Sequence, residues 1–163
     1  MPRIVSWLRA TFVSLPVLFL AQPVIAQVFI NEIHYDNSGT DTGEAIEVAA
    51  AAGTDLTGWT IVLYNGSTGV VYGSTTNLSG IVADQQGGFG TTVVNYPSNG
   101  LQNGSPDGIA LVDPASTVIQ FLSYEGSFVA SGGPADGLSS TDIGVAESSG
   151  TAIGESLQLT GTG

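Results

Sequence analysis

The chain has 163 residues, with 14 acidic residues against two basic ones, a formal net charge of -12 and no cysteine. Its only basic residues are Arg3 and Arg9, so the rest of the chain has no fixed positive charge with which to neutralise nucleic-acid phosphates or bind an anionic membrane. The lack of cysteine excludes disulfide bonds, and the fold must therefore rest on its hydrophobic core.

The N-terminal segment, residues 1–26, has the pattern of a secretory signal peptide. Arg3 and Arg9 precede or flank the start of an apolar run over 10–21, and small residues end the segment at Ala26. The run is shorter than the ~20 residues that a membrane-spanning helix needs, which favours a cleaved signal peptide over an uncleaved anchor. We therefore predict a secreted or periplasmic protein that begins at Gln27 and forms one domain over 27–163.

From Gln27 onward, short apolar segments alternate with turn residues, which is the pattern of an all-β sandwich. In the segment GWTIVLY, alternation predicts that Trp59, Ile61 and Leu63 face one side and the residues between them the other. The dipeptide Asn65-Gly66 and the segment 113–116 predict turns. The predicted strands are Val28–Tyr35, Ala45–Ala49, Trp59–Tyr64, Val70–Tyr72, Phe89–Val94, Ile109–Val112, Val118–Ser123 and Ser156–Leu159.

The C-terminal part of the chain departs from this pattern twice. Residues 125–155 contain little that could pair as a strand, and a loop of that length is typically either functional or poorly ordered. The chain then stops directly after the predicted strand Ser156–Leu159, so we expect a C-terminally truncated sandwich that lacks its last strand. An open edge is a template for pairing, which predicts self-association.

The segment Ile30–Val48, INEIHYDNSGTDTGEAIEV, concentrates five acids and the only histidine of the chain. One interpretation makes four of the acids oxygen ligands of a calcium ion. The favoured interpretation is that the segment is a solvated turn without a required cofactor, in which Glu44 faces outward. Alternation from Ile46 would instead place Glu44 on the inner face, where it would need a metal, a proton or backbone donors. The candidate ligands are Glu32, Asp36, Asp41 and Glu44.

His34 is the only imidazole available as a catalytic base. No serine lies in a Gly-x-Ser-x-Gly context, and phosphodiester chemistry requires cationic groups or metals at the developing charge. A lone histidine near a strand end is more often a surface residue, and Trp59 is expected in the core rather than as a sugar platform. We therefore predict no catalytic residues and no enzymatic activity for this chain.

Several segments resemble, in chain order, the bacterial branch of the lamin-tail domain family. They are FINEIHYDN, GEAIEV and DLTGWTIVLYN, followed by DGIALVD and VIQFLSYEG, which are similar to the family's final hairpin region. The resemblance implies an immunoglobulin-like β-sandwich. Such domains commonly follow the signal peptide of larger secreted bacterial proteins, and NGLQNGSPDGIALVD and TDIGVAES are most similar to the group found in extracellular nucleases.

From the resemblance we predict a non-catalytic module for attachment, targeting or organisation of an extracellular protein. Its expected partner is a cell surface, a glycan or another protein, and not a nucleic acid, since the domain lacks cations. The alternative is that the chain is the leading part of an extracellular nuclease whose endonuclease/exonuclease/phosphatase-type catalytic domain lies further on.

Overall fold

The computed structural model of the protein describes residues 27–160, which form two β-sheets packed face to face. The predicted signal peptide, 1–26, lies outside the described residues. Across 27–160, no helix has the length and apolar character needed to span a membrane. The strands are β1 (Phe29–His34), β2 (Ala45–Ala51), β3 (Thr60–Asn65), β4 (Val70–Asn77), β5 (Phe89–Asn95), β6 (Asp107–Val112), β7 (Val118–Tyr124), β8 (Thr141–Asp142) and β9 (Leu157–Gln158).

The first sheet has four strands in the order β5-β2-β1-β9, and the second has five in the order β4-β3-β6-β7-β8. Neighbouring strands are antiparallel except β7 and β8, which run parallel. The predicted all-β sandwich is thus confirmed, and each of the eight predicted strands is present. The prediction missed β8, whose two polar residues have no apolar alternation to reveal them.

Strand β3 shows how the alternating pattern builds the sandwich. Ile61 and Leu63 are buried between the two sheets, and Trp59 packs partly buried against the same cluster. Val62 and Tyr64 point to the opposite side and are buried in a second cluster. The predicted division of this strand into two faces is confirmed, and both faces are apolar because both are covered.

The outer face of the five-stranded sheet is covered by the segment that follows β7. Ala130 and Ala135 are buried there with Tyr64 and Phe121, and the backbone N–H of Ala135 donates to the Tyr64 hydroxyl at 2.9 Å. The first half of the predicted long loop 125–155 therefore has a structural role, since it buries an apolar sheet face that water would otherwise meet.

The predicted hairpin at Asn65-Gly66 is present, with Asn65 paired opposite Val70. The glycine is needed for a reason that the dipeptide did not reveal. The left-handed conformation is at Gly69, with φ +73°, whereas a Cβ added to Gly66 would lie 2.1 Å from the carbonyl oxygen of Pro106. Close backbone approach, rather than turn geometry, requires glycine at position 66.

The predicted turn at 113–116 is also present and is held by its first residue. The Asp113 carboxylate accepts hydrogen bonds from the backbone N–H groups of Ala115 and Thr117, at 2.9 and 2.7 Å. Short acidic side chains stabilise turns in this way.

Candidate functional site

The polar residues of Ile30–Val48 meet the second half of the 125–155 segment at one end of the sandwich. His34, the last residue of β1, is 7 % exposed, and its Nδ1 lies 2.8 Å from Oε1 of Glu147. Glu147 is 3 % exposed. The prediction that His34 is a surface residue is wrong, because the loop that carries Glu147 folds over the strand end and buries the imidazole.

Glu147 also holds the backbone that follows β1. Its Oε2 accepts hydrogen bonds from the N–H groups of Tyr35 and Asp36, at 2.6 and 2.9 Å. In return, the backbone N–H of Glu147 donates to the Tyr35 hydroxyl at 2.8 Å. One carboxylate thus satisfies two backbone donors and one imidazole, and a buried acid in a domain without Lys or Arg needs such partners.

The second ring nitrogen of His34 is also engaged. Nε2 lies 3.1 Å from the carbonyl oxygen of Thr42 and 3.0 Å from the side-chain nitrogen of Asn37. In the neutral ring, Nδ1–H donates to Glu147 while Nε2 accepts from Asn37; in the cation, Nε2–H donates to Thr42. Either way, the imidazole faces protein groups on both sides and has no free nitrogen directed at a serine, as a hydrolase would require.

Burial by itself would lower the pKa of His34, but the hydrogen bond and negative charge of Glu147 more than offset it, and the carbonyl of Thr42 adds to their effect. The pKa of His34 consequently lies above 6.5. Burial also raises the pKa of the Tyr35 hydroxyl beyond its usual range, so this phenol stays protonated. Tyr35 stacks on Tyr124 with ring centroids 3.9 Å apart, which locks it between the sheets.

Glu44 is fully buried, so the favoured prediction that it faces outward is wrong. Its Oε1 accepts a hydrogen bond from the backbone N–H of Asn99, and its Oε2 accepts one from that of Leu101 at 2.5 Å. Of the three partners that alternation demanded, namely a metal, a proton or backbone donors, the structure supplies backbone donors.

The structure does not bring the four predicted calcium ligands together at one point. Asp41 is buried and accepts from the side chain of Asn103 at 2.8 Å and from the backbone of Asn37 at 3.2 Å. Glu32 accepts from the Ser156 hydroxyl at 2.5 Å on β1. In the part of the chain that the structure describes, no three His, Cys, Asp or Glu side chains are grouped so that they could hold a metal ion.

Asp36 and Asp41 are neighbours within this set. Burial raises the pKa of Asp36, and the charge of Asp41 raises it further. The hydrogen bond from Asn103 lowers the pKa of Asp41. Calcium binding by the four acids stays a prediction. Thermal unfolding with and without millimolar calcium tests it, because an ion that binds the folded state raises the midpoint; an unchanged midpoint would contradict the hypothesis.

Two buried carboxylates that accept backbone hydrogen bonds were not predicted from the sequence. Besides Glu147, the carboxylate of Asp107 is 2 % exposed and accepts from the backbone N–H groups of Gly66 and Gly104, both at 2.9 Å. Asp107 lies at the start of a strand and Glu147 in a polar loop, which are ordinary places for exposed acids. The one sequence signal for their role is the lack of Lys and Arg, because a buried acid without a cation needs backbone N–H donors.

No family model, curated protein or solved structure matches the chain. The similarity to lamin-tail domains therefore rests on the sequence segments alone.

The raised pKa of His34 predicts a pH-dependent contribution to stability. Because the folded-state pKa lies above 6.5, the stabilisation is fully present below pH 6.5 and is lost as the pH rises through the folded-state pKa. We expect the difference in free energy of unfolding between wild type and His34→Gln, measured by urea unfolding, to be larger at pH 6 than at pH 9. A difference that grows with pH would contradict the assignment.

Proposed function

We propose that the protein is a secreted, non-catalytic β-sandwich module that attaches, targets or organises an extracellular protein. The sandwich fold and the lamin-tail resemblance support this proposal, and the resemblance extends it to an immunoglobulin-like arrangement of the strands. The single observation that carries the proposal is that the buried side chains that could act in catalysis are already bonded within the fold. Both nitrogens of His34 and both oxygens of Glu44 and Glu147 bind groups of the fold itself.

The segments that carry the resemblance also have structural roles in this fold. Asp107, in the segment DGIALVD, holds the backbone of two loops. Glu147, in TDIGVAES, holds the end of β1. Both acids therefore have a structural reason for their positions in these segments that requires no ligand, which fits a non-catalytic module.

The second candidate is the leading part of an extracellular nuclease. The observation that favours it is the pair of segments most similar to nuclease-associated lamin-tail domains, NGLQNGSPDGIALVD and TDIGVAES. The nucleotide sequence that follows the codon of Gly163 tests this candidate. A catalytic region encoded there would support it, and an intact stop codon followed by no such region would contradict it.

Two measurements on the purified protein test the proposed function. A fluorescently labelled sample should be retained on the surface of the producing cells after washing. The same sample, incubated with DNA, RNA, nitrophenyl esters and nitrophenyl phosphodiesters in the presence of magnesium or calcium, should show no turnover. Turnover that disappears in His34→Ala would overturn the proposal, as would a protein that washes off the cells completely.

We also propose weak self-association through the open edge of the first sheet. Within residues 27–160, strand β9 is only two residues long and is the edge of this sheet. It borders an apolar groove of about 240 Å³ lined in part by Leu122, Ile143 and the half-exposed Leu159. An unpaired edge next to apolar surface favours strand pairing between copies. Because each copy is strongly acidic, association should increase when salt screens the repulsion.

Light scattering should therefore report an average mass that rises with protein concentration, and more steeply at high salt than at low salt. Leu159→Glu, which adds a charge to the groove, should reduce the rise. Ile153→Glu is the matched control, because Ile153 is 70 % exposed outside the groove. A monodisperse monomer at every concentration and salt level would contradict this proposal.

A further inference from the structure

The two sheets differ in what covers their outer faces. The outer face of the five-stranded sheet is buried under the segment that follows β7. On the four-stranded sheet, by contrast, large apolar side chains of the outer face remain accessible in the described part of the chain. Phe89 is 59 % exposed and Val93 is 50 % exposed. An exposed apolar patch rimmed by polar residues is a typical feature of binding surfaces.

A hollow of about 330 Å³ lies on this face. Phe29, Ala49 and Thr91 stand side by side across β1, β2 and β5, and the small Ala49 side chain in the middle leaves the depression. The lining residues are Phe29, Asn31, Ala49, Gln85, Gln86, Phe89, Gly90 and Thr91.

A tight turn fixes the rim of the hollow. Gln86 and Phe89 form a bridge across Gly87 and Gly88, whose φ angles are +62° and +87°. Two consecutive left-handed residues are the mark of the hairpin turn that matches strand twist, and glycine adopts them without steric cost. The side-chain amide of Gln85 bonds to the backbone N–H and C=O of Thr91, at 2.9 and 3.2 Å. The rim is thus held in place before any ligand arrives.

The chemistry of the hollow selects the kind of ligand. None of its eight lining residues is charged, although the chain carries 14 acids. An anionic ligand would find no cation there, and a cationic ligand would find stronger attraction elsewhere on the acidic surface. The available groups are phenyl rings and amides. Within the described residues, the side chain of Gln86 makes no hydrogen bond, and the side chain of Asn31 bonds only through its nitrogen, which donates to Glu47 at 2.7 Å.

A sugar ring matches these groups. The face of a pyranose that carries C–H bonds is apolar and packs on an aromatic ring, while its hydroxyls both donate and accept, as amide side chains do. A peptide strand would instead seek the unpaired backbone groups of a sheet edge. The backbone groups of β1 and β2 already pair with neighbouring strands, and at the edge strand β5 the Gln85 side chain occupies the N–H and C=O of Thr91.

We infer that this hollow binds the sugar rings of a neutral glycan, with Phe29 and Phe89 packing against a ring and the amides of Gln86 and Asn31 bonding its hydroxyls. The inference rests on the proposed attachment function and gives it a ligand class. Because the hollow has a volume of only about 330 Å³, it suits a short part of a polysaccharide chain.

Affinity electrophoresis of the purified protein tests the inference. The gels contain laminarin, mixed-linkage β-glucan, xyloglucan, xylan, galactomannan or soluble starch as neutral probes, and alginate or heparin as anionic ones. At least one neutral polysaccharide should retard the wild type, and the anionic ones should not. Phe89→Ala should bind about tenfold more weakly, the effect expected for one lost aromatic contact. Val93→Ala is the matched control, because Val93 is similarly exposed but lies outside the hollow.

Retention on the producing cells, measured for the same variants, separates the two proposals. If wild type and Phe89→Ala are retained equally and no neutral polysaccharide binds, the glycan inference fails while attachment stands. If Phe89→Ala loses cell retention but no neutral polysaccharide binds or competes, the hollow serves another partner and the glycan inference again fails. Equal retardation of Phe89→Ala and wild type in a polysaccharide gel would also overturn it, with thermal unfolding confirming that both proteins are folded.

Discussion

Replacing Glu147 with alanine is expected to lower the free energy of unfolding by about 3–5 kcal/mol, because three donors lose their acceptor and each such loss costs about 1–3 kcal/mol where the donor is buried. The change removes the acceptor for the N–H groups of Tyr35 and Asp36 and the partner of His34. These donors would then remain buried without an acceptor, and each loss of this kind destabilises the folded state. Urea unfolding monitored by tryptophan fluorescence would measure the change.

Two further variants test whether the loss of stability comes from the hydrogen bonds of the Glu147 carboxylate. Glu147→Gln keeps the size and one acceptor oxygen but places an amide N–H₂ where a carboxylate oxygen stood, so it should lose about half as much stability. Glu155→Ala removes an exposed acid from the same segment and should change stability by less than about 0.5 kcal/mol. If Glu147→Ala behaved like Glu155→Ala, the carboxylate would not hold the end of β1.

Glu44→Ala should have an effect of similar size, about 3–5 kcal/mol, for a related reason. The carboxylate is fully buried and accepts the backbone N–H groups of Asn99 and Leu101. Hydrogen bonds to a charged group contribute about 1.5–3 kcal/mol each, and the missing side chain also leaves a cavity. The two N–H groups belong to the loop after β5. Amide hydrogen exchange, compared with wild type, should therefore accelerate most in that loop.

Glu47→Ala provides the control, because Glu47 lies on β2, the strand that directly follows Glu44. Glu47 is partly exposed, and its side chain accepts one hydrogen bond, from Asn31. Its removal should lower the free energy of unfolding by no more than about 1 kcal/mol. Equal losses in the two variants would show that Glu44 contributes no more than an ordinary acid on the sheet surface.

The strands were predictable because their signal is local. Alternation in β3 revealed which of its residues face each sheet side, and the turns at 65–66 and 113–116 were marked by residues that favour them. The pattern could not show that both faces of β3 are buried by different partners. The second face of β3 is buried by the segment after β7. The small residues of that segment show no hydrophobic periodicity, so the sequence does not indicate that it covers the sheet.

The candidate site was only half predictable. The cluster of acids around His34 was evident, and alternation from Ile46 correctly raised the need for partners at Glu44. The choice of those partners was not evident. The outward orientation first assigned to Glu44 and the surface position assigned to His34 were both wrong, because the loops that bury them, at 99–101 and around Glu147, are distant in the chain.

The sequence by itself determined the class of fold and the electrostatic character of this protein, because side-chain period and charge count are properties of neighbouring residues and of composition. The tertiary structure alone decided how the acids are used. In a domain without lysine or arginine, a buried carboxylate is stabilised by whichever backbone N–H groups converge on it, and that convergence depends on segments brought together across as many as 112 residues of chain.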